Sequence, residues 1–273
     1  MIRLIATDLD DTLLDQRSAV SPRSLAALRR AMDAGCRIAL SSGRMLESTL
    51  PYARQIGVNA PMLLYNGGMI YDPAAGRAVY AEPIRYETAL AIVERMEDEG
   101  FYIQLYPGEG YYCSAVNDFT RAYAASIRVP AIPTGIPMAR WLRENPSDML
   151  KLLVIDTPEG ATRAQEILRE AFPRDARCLK SRPHYVEITP EGVDKGRALE
   201  RLAEYLGVAR EEVMAFGDGE NDVPMLTWAG EGWAVGNACP EALRRAGRIA
   251  PRNTQDGVAQ IIERYLEEGL LGG

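Results

Sequence analysis

Residues 2–15 read IRLIATDLDDTLLD, a short apolar run followed at once by four aspartates between positions 8 and 15. The run has the length and composition of a buried strand, and the amphipathic stretch SPRSLAALRRAMDAG that follows has those of a helix. Ser21 is placed to cap that helix, Pro22 to fill its first position and Gly35 to stop it. CRIALSS, MLESTLPYARQIG and PMLLYN continue the alternation, the rhythm of a parallel sheet assembled from βαβ units. It returns late in the chain, where DKGRALERLAEYLG precedes VMAFGDGEND and is followed by WAVGN, RIAP and the amphipathic DGVAQIIERYLEEG. The two ends are expected to close into one doubly wound, Rossmann-like α/β core.

From about Pro83 to Val186 the pattern changes. Strand candidates FYIQLY, MLKLLVID and HYVEIT are separated by only two clear helices, and Gly and Pro punctuate YPGEGYY and VPAIPTGIP. This middle third reads as an α+β domain, residues 83–187, inserted into a core made of 1–82 and 188–273. The connections are expected near Ala81–Pro83 and Glu187–Thr189. No internal repeat suggests a solenoid.

Bulk properties exclude several functions. A formal net charge of -7 without a Lys/Arg-rich run repels nucleic acid. Cys36, Cys113, Cys178 and Cys239 form no CxxC pair, so neither a zinc site nor a disulfide framework is expected, and a reducing cytoplasm suits them. The N-terminal apolar run is cut at Asp8, too short for a signal-peptide core or a membrane span. No obligate protein partner is indicated.

In open α/β sheets, function collects at the carboxyl ends of the strands. The polar groups of this chain fall there: Asp8 and Asp10 after the first strand, Ser41, Ser42 and Gly43 after the second, Asn66 to Gly68 after the third, and Asp218, Asn221 and Asp222 after VMAFG, with Lys195 opening the preceding helix. Two carboxylates about 4 Å apart repel by roughly 4 kcal/mol at an effective dielectric of 20, so gathering Asp8, Asp10, Asp218 and Asp222 requires positive charge. Lys195 supplies one charge and a divalent cation the rest. Hard oxygen donors, no cysteine pair and a single histidine favour magnesium over zinc. An EF-hand does not fit, because Leu13 and Ala19 stand where a loop starting at Asp8 needs Gly and Glu.

DLDDT at 8–12, Ser42-Gly43-Arg44, Lys195-Gly196 and GDGENDVPM at 217–225 resemble the four motifs of the haloacid dehalogenase-like phosphohydrolases. NGG at 66–68, VGNACPE at 235–241 and the Asn253–Ala259 stretch are similar to its Cof-type subfamily. The resemblance covers about 1–82 and 188–270 and implies that the insertion is a cap domain setting substrate specificity. It implies an Asp8 nucleophile that forms an aspartyl-phosphate, and Asp10 as general acid and base. Mg2+ would be held by Asp8, the Asp10 carbonyl and Asp218, with Asp222 behind them. Ser42, Gly43, Lys195 and Asn221 would bind the phosphoryl group. Ser42 stands where Thr is usual in the family, and keeps the hydroxyl.

The implied activity is hydrolysis of small phosphomonoesters such as sugar phosphates, pyridoxal phosphate or flavin mononucleotide. A phosphotransferase or mutase using the same intermediate, and a metabolite-binding regulator without turnover, stay open as alternatives. Asn66-Gly67 reads equally as a hairpin turn and as a substrate contact. Arg44 reads as a substrate clamp or a structural ion pair. His184, the only histidine, reads as a surface or hinge residue, Lys180 and Arg182 as possible substrate contacts, and Thr12 as a hydroxyl steadying its turn. Tyr102, Tyr106, Tyr111 and Tyr112 read mostly as cap core.

Overall fold

The computed structural model describes residues 1–272. The chain opens with strand β1 (Leu4–Thr7), helix α1 (Pro22–Asp33), β2 (Arg37–Leu40), α2 (Leu46–Ile56) and β3 (Met62–Leu64), followed by β4 (Met69–Asp72) and β5 (Arg77–Ala81). A second set follows: α3 (Tyr86–Asp98), β6 (Ile103–Gly108), β7 (Gly110–Cys113), α4 (Asp118–Ile127), β8 (Ile132–Pro133), α5 (Met138–Glu144), β9 (Lys151–Ile155), α6 (Pro158–Ala171), β10 (Ala176–Arg182) and β11 (Tyr185–Pro190). The chain ends with α7 (Lys195–Leu206), β12 (Val213–Gly217), α8 (Val223–Trp228), β13 (Glu231–Val235), α9 (Pro240–Arg245), β14 (Arg248–Ala250) and α10 (Gly257–Glu267).

Two compact units result: residues 1–43, 49–80 and 194–272 form one, and 44–48 with 81–193 the other. In the first, five parallel strands run in the order β14-β13-β12-β1-β2. From β1 the chain moves to β2 on one side, and from β12 it moves to β13 on the other. Right-handed crossovers therefore send α1 and α8 to opposite faces and create a switch point between β1 and β12. α1 packs on α10, and α7 packs on α8. Leu4, Ile5 and Ala6 of β1 are fully buried, as a strand covered on both faces requires.

The local signals act as their chemistry dictates. Ser21 accepts a hydrogen bond from the Ser24 N–H, and Pro22 begins α1. The β3–β4–β5 sheet is an addition that short apolar runs do not announce; a parallel bridge from Ser41 to Leu63 joins β3 to β2.

The second unit is a six-stranded sheet ordered β10-β11-β9-β6-β7-β8. It is antiparallel apart from the β7–β8 pair. Ile103, Leu105, Leu152, Val154, Val186 and Ile188 point to one face and bury against α3, α5 and α6. Tyr106 and Tyr111 belong to the opposite face, fully buried and stacked at 5.3 Å between ring centroids. His184 lies exposed in the β10–β11 turn. Among the described residues, no helix is long and apolar enough to cross a membrane.

Gly67 has φ +99°, and a Cβ there would sit 2.4 Å from the Asp194 carbonyl oxygen; Gly76 has φ +65° with open space around it. Gly67→Ala should therefore cost about 3 kcal/mol and Gly76→Ala only about 1 kcal/mol, read from urea unfolding midpoints of the two variants side by side.

Candidate active site

The site forms where β1 and β12 end. Asp8 continues β1, its N–H donating to the Phe216 carbonyl at 2.9 Å. The chain then folds into the Leu9–Leu13 turn, with Asp11 in the left-handed region at φ 56° and the Leu14 N–H donating to the Leu9 carbonyl at 2.9 Å. Aspartate tolerates that conformation better than most residues. Asn237 Nδ2 donates to the Asp11 carbonyl at 2.7 Å, and Asn253 Nδ2 to the Leu14 carbonyl at 2.9 Å. The Asn253 N–H in turn donates to Asn237 Oδ1 at 2.9 Å. Two loop asparagines thus brace the aspartate-bearing turn, a role their spacing alone did not suggest.

Lys195 is the first residue of α7, whose cap is the Asp194 carboxylate accepting the Arg197 N–H at 2.8 Å. Its Nζ donates to Asp8 Oδ1 and to Asp222 Oδ1, each at 2.6 Å. Lys195 is 0% exposed, Asp8 5% and Asp222 1%. The second Asp222 oxygen accepts the N–H groups of Asp218 (3.0 Å) and Gly219 (2.9 Å). Asp222 therefore ties the lysine to the loop that presents Asp218. Thr12 Oγ1 donates to Asp218 Oδ1 at 2.8 Å, so its hydroxyl orients a carboxylate from another strand end.

Around this charged centre the β2 and β3 ends add amides. Ser42, buried, donates its N–H to the Leu63 carbonyl at 2.8 Å and accepts the Asn66 N–H at 3.1 Å. Asn66, at φ 57° in the β3–β4 turn, accepts from Asn221 Nδ2 at 3.0 Å. A Cβ on Gly43 would lie 2.9 Å from that Asn66 oxygen. Asn66-Gly67 therefore serves as a turn, and Asn66 also stands beside Asn221. Asp10 is half-buried in its turn. Arg44 is buried and groups with the second unit. Lys180 and Arg182 belong to that unit too; Lys180 Nζ donates to Thr162 Oγ1 at 2.8 Å.

The electrostatics are strained without added positive charge. Burial, chiefly, pushes the Asp8 carboxyl well above the usual carboxylate range; Lys195 pulls it back, and Asp222, Asp218 and Asp10 push it further up. Burial and then Asp222 raise Asp218 to about 7, against the opposing pull of Thr12 and Lys195. Burial would lower the Lys195 ammonium, but Asp222 and Asp8 outweigh it, so the lysine stays charged. No local sequence pattern announces this rise, because burial is a tertiary property. Asp8, Asp218 and Asp222 each offer an oxygen, all within 4.8 Å of one another. Three carboxylates against one ammonium leave two negative charges unbalanced, and a hard oxygen set of that charge can hold a metal ion.

Fold and site together define a class: a doubly wound core that gathers acidic side chains around one lysine at its switch point, with an α+β unit inserted into it. Residues 5–262 match the haloacid dehalogenase-like hydrolase family model, and the chain belongs to that family. It is similar to 5-amino-6-(5-phospho-D-ribitylamino)uracil phosphatase YitU of Bacillus subtilis, 29% identical over 96% of this chain and 97% of the relative. It is also similar to pyridoxal phosphate phosphatase YbhA of Escherichia coli, 28% identical over 97% of this chain and 98% of the relative. A crystal structure of a haloacid dehalogenase-like hydrolase from Bacteroides thetaiotaomicron superposes with a TM-score of 0.88 at 28% identity, covering 97% of this chain and 99% of the other.

The raised carboxyls set a pH dependence. Asp218 titrates near 7 when folded and near 3.8 when unfolded, so between these values the folded chain holds the extra proton. Stability without added cation therefore falls as pH rises through that window and levels off above it. A divalent cation needs the ionised oxygens, so the rise in Tm caused by added Mg2+ should be small at pH 5 and grow to a plateau above pH 7, checked by thermal melts with and without the ion at each pH.

Proposed function

We propose that this chain is a magnesium-dependent phosphatase of small phosphomonoesters that works through an aspartyl-phosphate on Asp8. The observation that carries the reading is the Lys195 ammonium 2.6 Å from both Asp8 and Asp222, which leaves Asp8 with one oxygen committed and one to attack. The family membership supports hydrolysis, and the names of the two curated relatives supply the substrate class, small organic phosphates. Asp8, Asp218, Asp222 and the Asp10 carbonyl would hold Mg2+, directly or through water, and the ion supplies positive charge against the phosphoryl oxygens.

In the first half-reaction an Asp8 carboxylate oxygen forms a bond to phosphorus while the ester oxygen leaves, taking a proton from Asp10. In the second, Asp10 takes a proton from water as the water oxygen attacks phosphorus, the Asp8–phosphorus bond breaks and inorganic phosphate departs. Lys195 favours the ionised form of Asp8 against the effect of its burial and balances the transferring group. The Ser42 hydroxyl, the Gly43 N–H and the Asn221 amide would donate to phosphoryl oxygens, with Asn66 setting the Asn221 rotamer. Arg44 carries no assigned step. The inserted unit would read the organic part of the substrate. The four free cysteines suit a reducing, cytoplasmic setting.

Purified protein should release phosphate from a panel of phosphomonoesters only with Mg2+ present. Asp8→Asn should lower kcat by about 10³-fold or more, and Asp10→Asn by about 10²- to 10⁴-fold, with each variant still unfolding in a single cooperative melt. Full activity of the Asp8 variant would remove the nucleophile assignment, and no turnover of any ester by the parent protein would remove the phosphatase reading.

A further inference from the structure

Two polar groupings remain once the steps above are assigned. In the second unit, Lys151 is buried 3.5 Å from the Glu187 carboxylate, and the two charges cancel within the pair. In the first unit, β13 and β14 end in loops that carry no residue of the proposed reaction. Asn237 and Asn253 from those loops nevertheless reach the turn that bears Asp10 and Asp11. Asn237 lies two residues past the end of β13, and its Nδ2 donates to the Asp11 carbonyl at 2.7 Å. Its own loop is anchored: the Ala238 N–H donates to the Val235 carbonyl and the Cys239 N–H to the Asp218 carbonyl, each at 2.8 Å.

A side-chain amide can face either way, and one contact decides which way Asn237 faces. The backbone N–H of Asn253 donates to Asn237 Oδ1 at 2.9 Å, which turns Nδ2, the donor end, toward the Asp11 carbonyl. Asp11 depends on that donor. It sits at φ 56°, ψ 5°, a left-handed conformation whose cost for a residue with a Cβ is of the same order as one hydrogen bond. Asp10, immediately before it, is extended at φ -68°, ψ 130°, so the chain changes direction sharply at the peptide plane between the two. Relaxation of Asp11 toward the common negative φ would rotate that plane and carry Asp10 with it. Catalysis is steep in such displacements: a misplacement of about 1 Å can cost about 10²-fold in rate.

We propose that Asn237 is a positioning residue of the reaction: by holding the Asp11 carbonyl it keeps Asp10 aimed at the departing ester oxygen; this rests on the phosphatase reading above. In the first half-reaction the bond from Asp8 to phosphorus forms and the bond from phosphorus to the ester oxygen breaks. The electron pair of the broken bond stays on that oxygen, and the Asp10 proton moves to it. How much that proton matters depends on the leaving group. An alkoxide departs poorly unless it is protonated as it leaves, whereas a nitrophenolate spreads its charge over the ring and departs without help. Loss of aim at Asp10 therefore weighs on benzyl and alkyl esters and spares nitrophenyl esters. A defect at Asp8, at Lys195 or at the cation site weighs on both.

The test compares 4-nitrobenzyl phosphate with 4-nitrophenyl phosphate at saturating Mg2+, two esters that differ by one methylene and so by leaving group. The value read is the ratio of their kcat/KM, nitrobenzyl over nitrophenyl. It reports the first half-reaction and does not depend on how much of a variant is folded. Asp10→Asn should lower that ratio by about 10²-fold or more, and Asn237→Ala by about tenfold, the loss falling on the nitrobenzyl ester. Asn237→Ser, a milder change, should move the ratio in the same direction. In the Asp10→Asn/Asn237→Ala double variant the ratio should equal that of Asp10→Asn alone, because the group being aimed is already gone. Asn237 variants that keep the parent ratio, or that lower it further in the Asp10→Asn background, overturn the positioning role and leave the phosphatase reading standing. A parent protein that releases phosphate from neither ester, nor from any other phosphomonoester, overturns both.

Discussion

The Lys195 ammonium held between Asp8 and Asp222 is the interaction on which the site depends. Each of the three groups is almost wholly withdrawn from water, and an isolated ion so placed would cost several kcal/mol. The two 2.6 Å contacts offset that cost only while all three partners are present. Removing the lysine would leave two buried carboxylates facing each other, a defect worth about 3–5 kcal/mol in comparable buried pairs. Lys195 also occupies the first position of a helix, where the macrodipole disfavours a cation. Its placement there is intelligible only through the aspartates it meets.

That requirement reaches through the core. The Asp8 carboxylate must end β1, Asp222 must end the loop after β12, and Lys195 must begin α7, so three separate elements have to arrive in one register. Parallel pairing of Thr7 with Phe216 fixes the first two. Close approach then demands small residues: a Cβ on Gly217 would stand 2.5 Å from that of Asp222. The Asn237 and Asn253 amides hold the turn after β1 from the far side. The centre is thus fixed by backbone-directed hydrogen bonds on every side, which is the preorganisation that charge-stabilising catalysis requires.

Much of this was legible in the sequence, for identifiable reasons. The βαβ rhythm and the caps around α1 are local, so Ser21, Pro22 and the apolar runs announce them directly. The aspartate and serine positions were legible because they fall at strand ends, where a doubly wound sheet concentrates function, and Lys195 because it opens the helix before one of those strands. Three features were not. The unassisted Asp8 carboxyl rises because it is buried among other acids, and burial is not local. Thr12 turns out to orient Asp218, 206 positions away. The Lys151–Glu187 pair joins two strands whose register no single-strand pattern reveals, and the helix-faced side of the cap sheet gave a much clearer apolar signal than its polar opposite.

The two buried charge clusters differ in sum, and that difference sets which of them calls for a cation. In the core, Asp8, Asp218 and Asp222 against Lys195 leave an excess of negative charge, which calls for a cation and, with that cation bound, suits the developing charge of phosphoryl transfer. In the inserted unit, Lys151 and Glu187 cancel. A pair whose charges cancel needs no added cation, so dependence on a metal ion belongs to the core cluster alone.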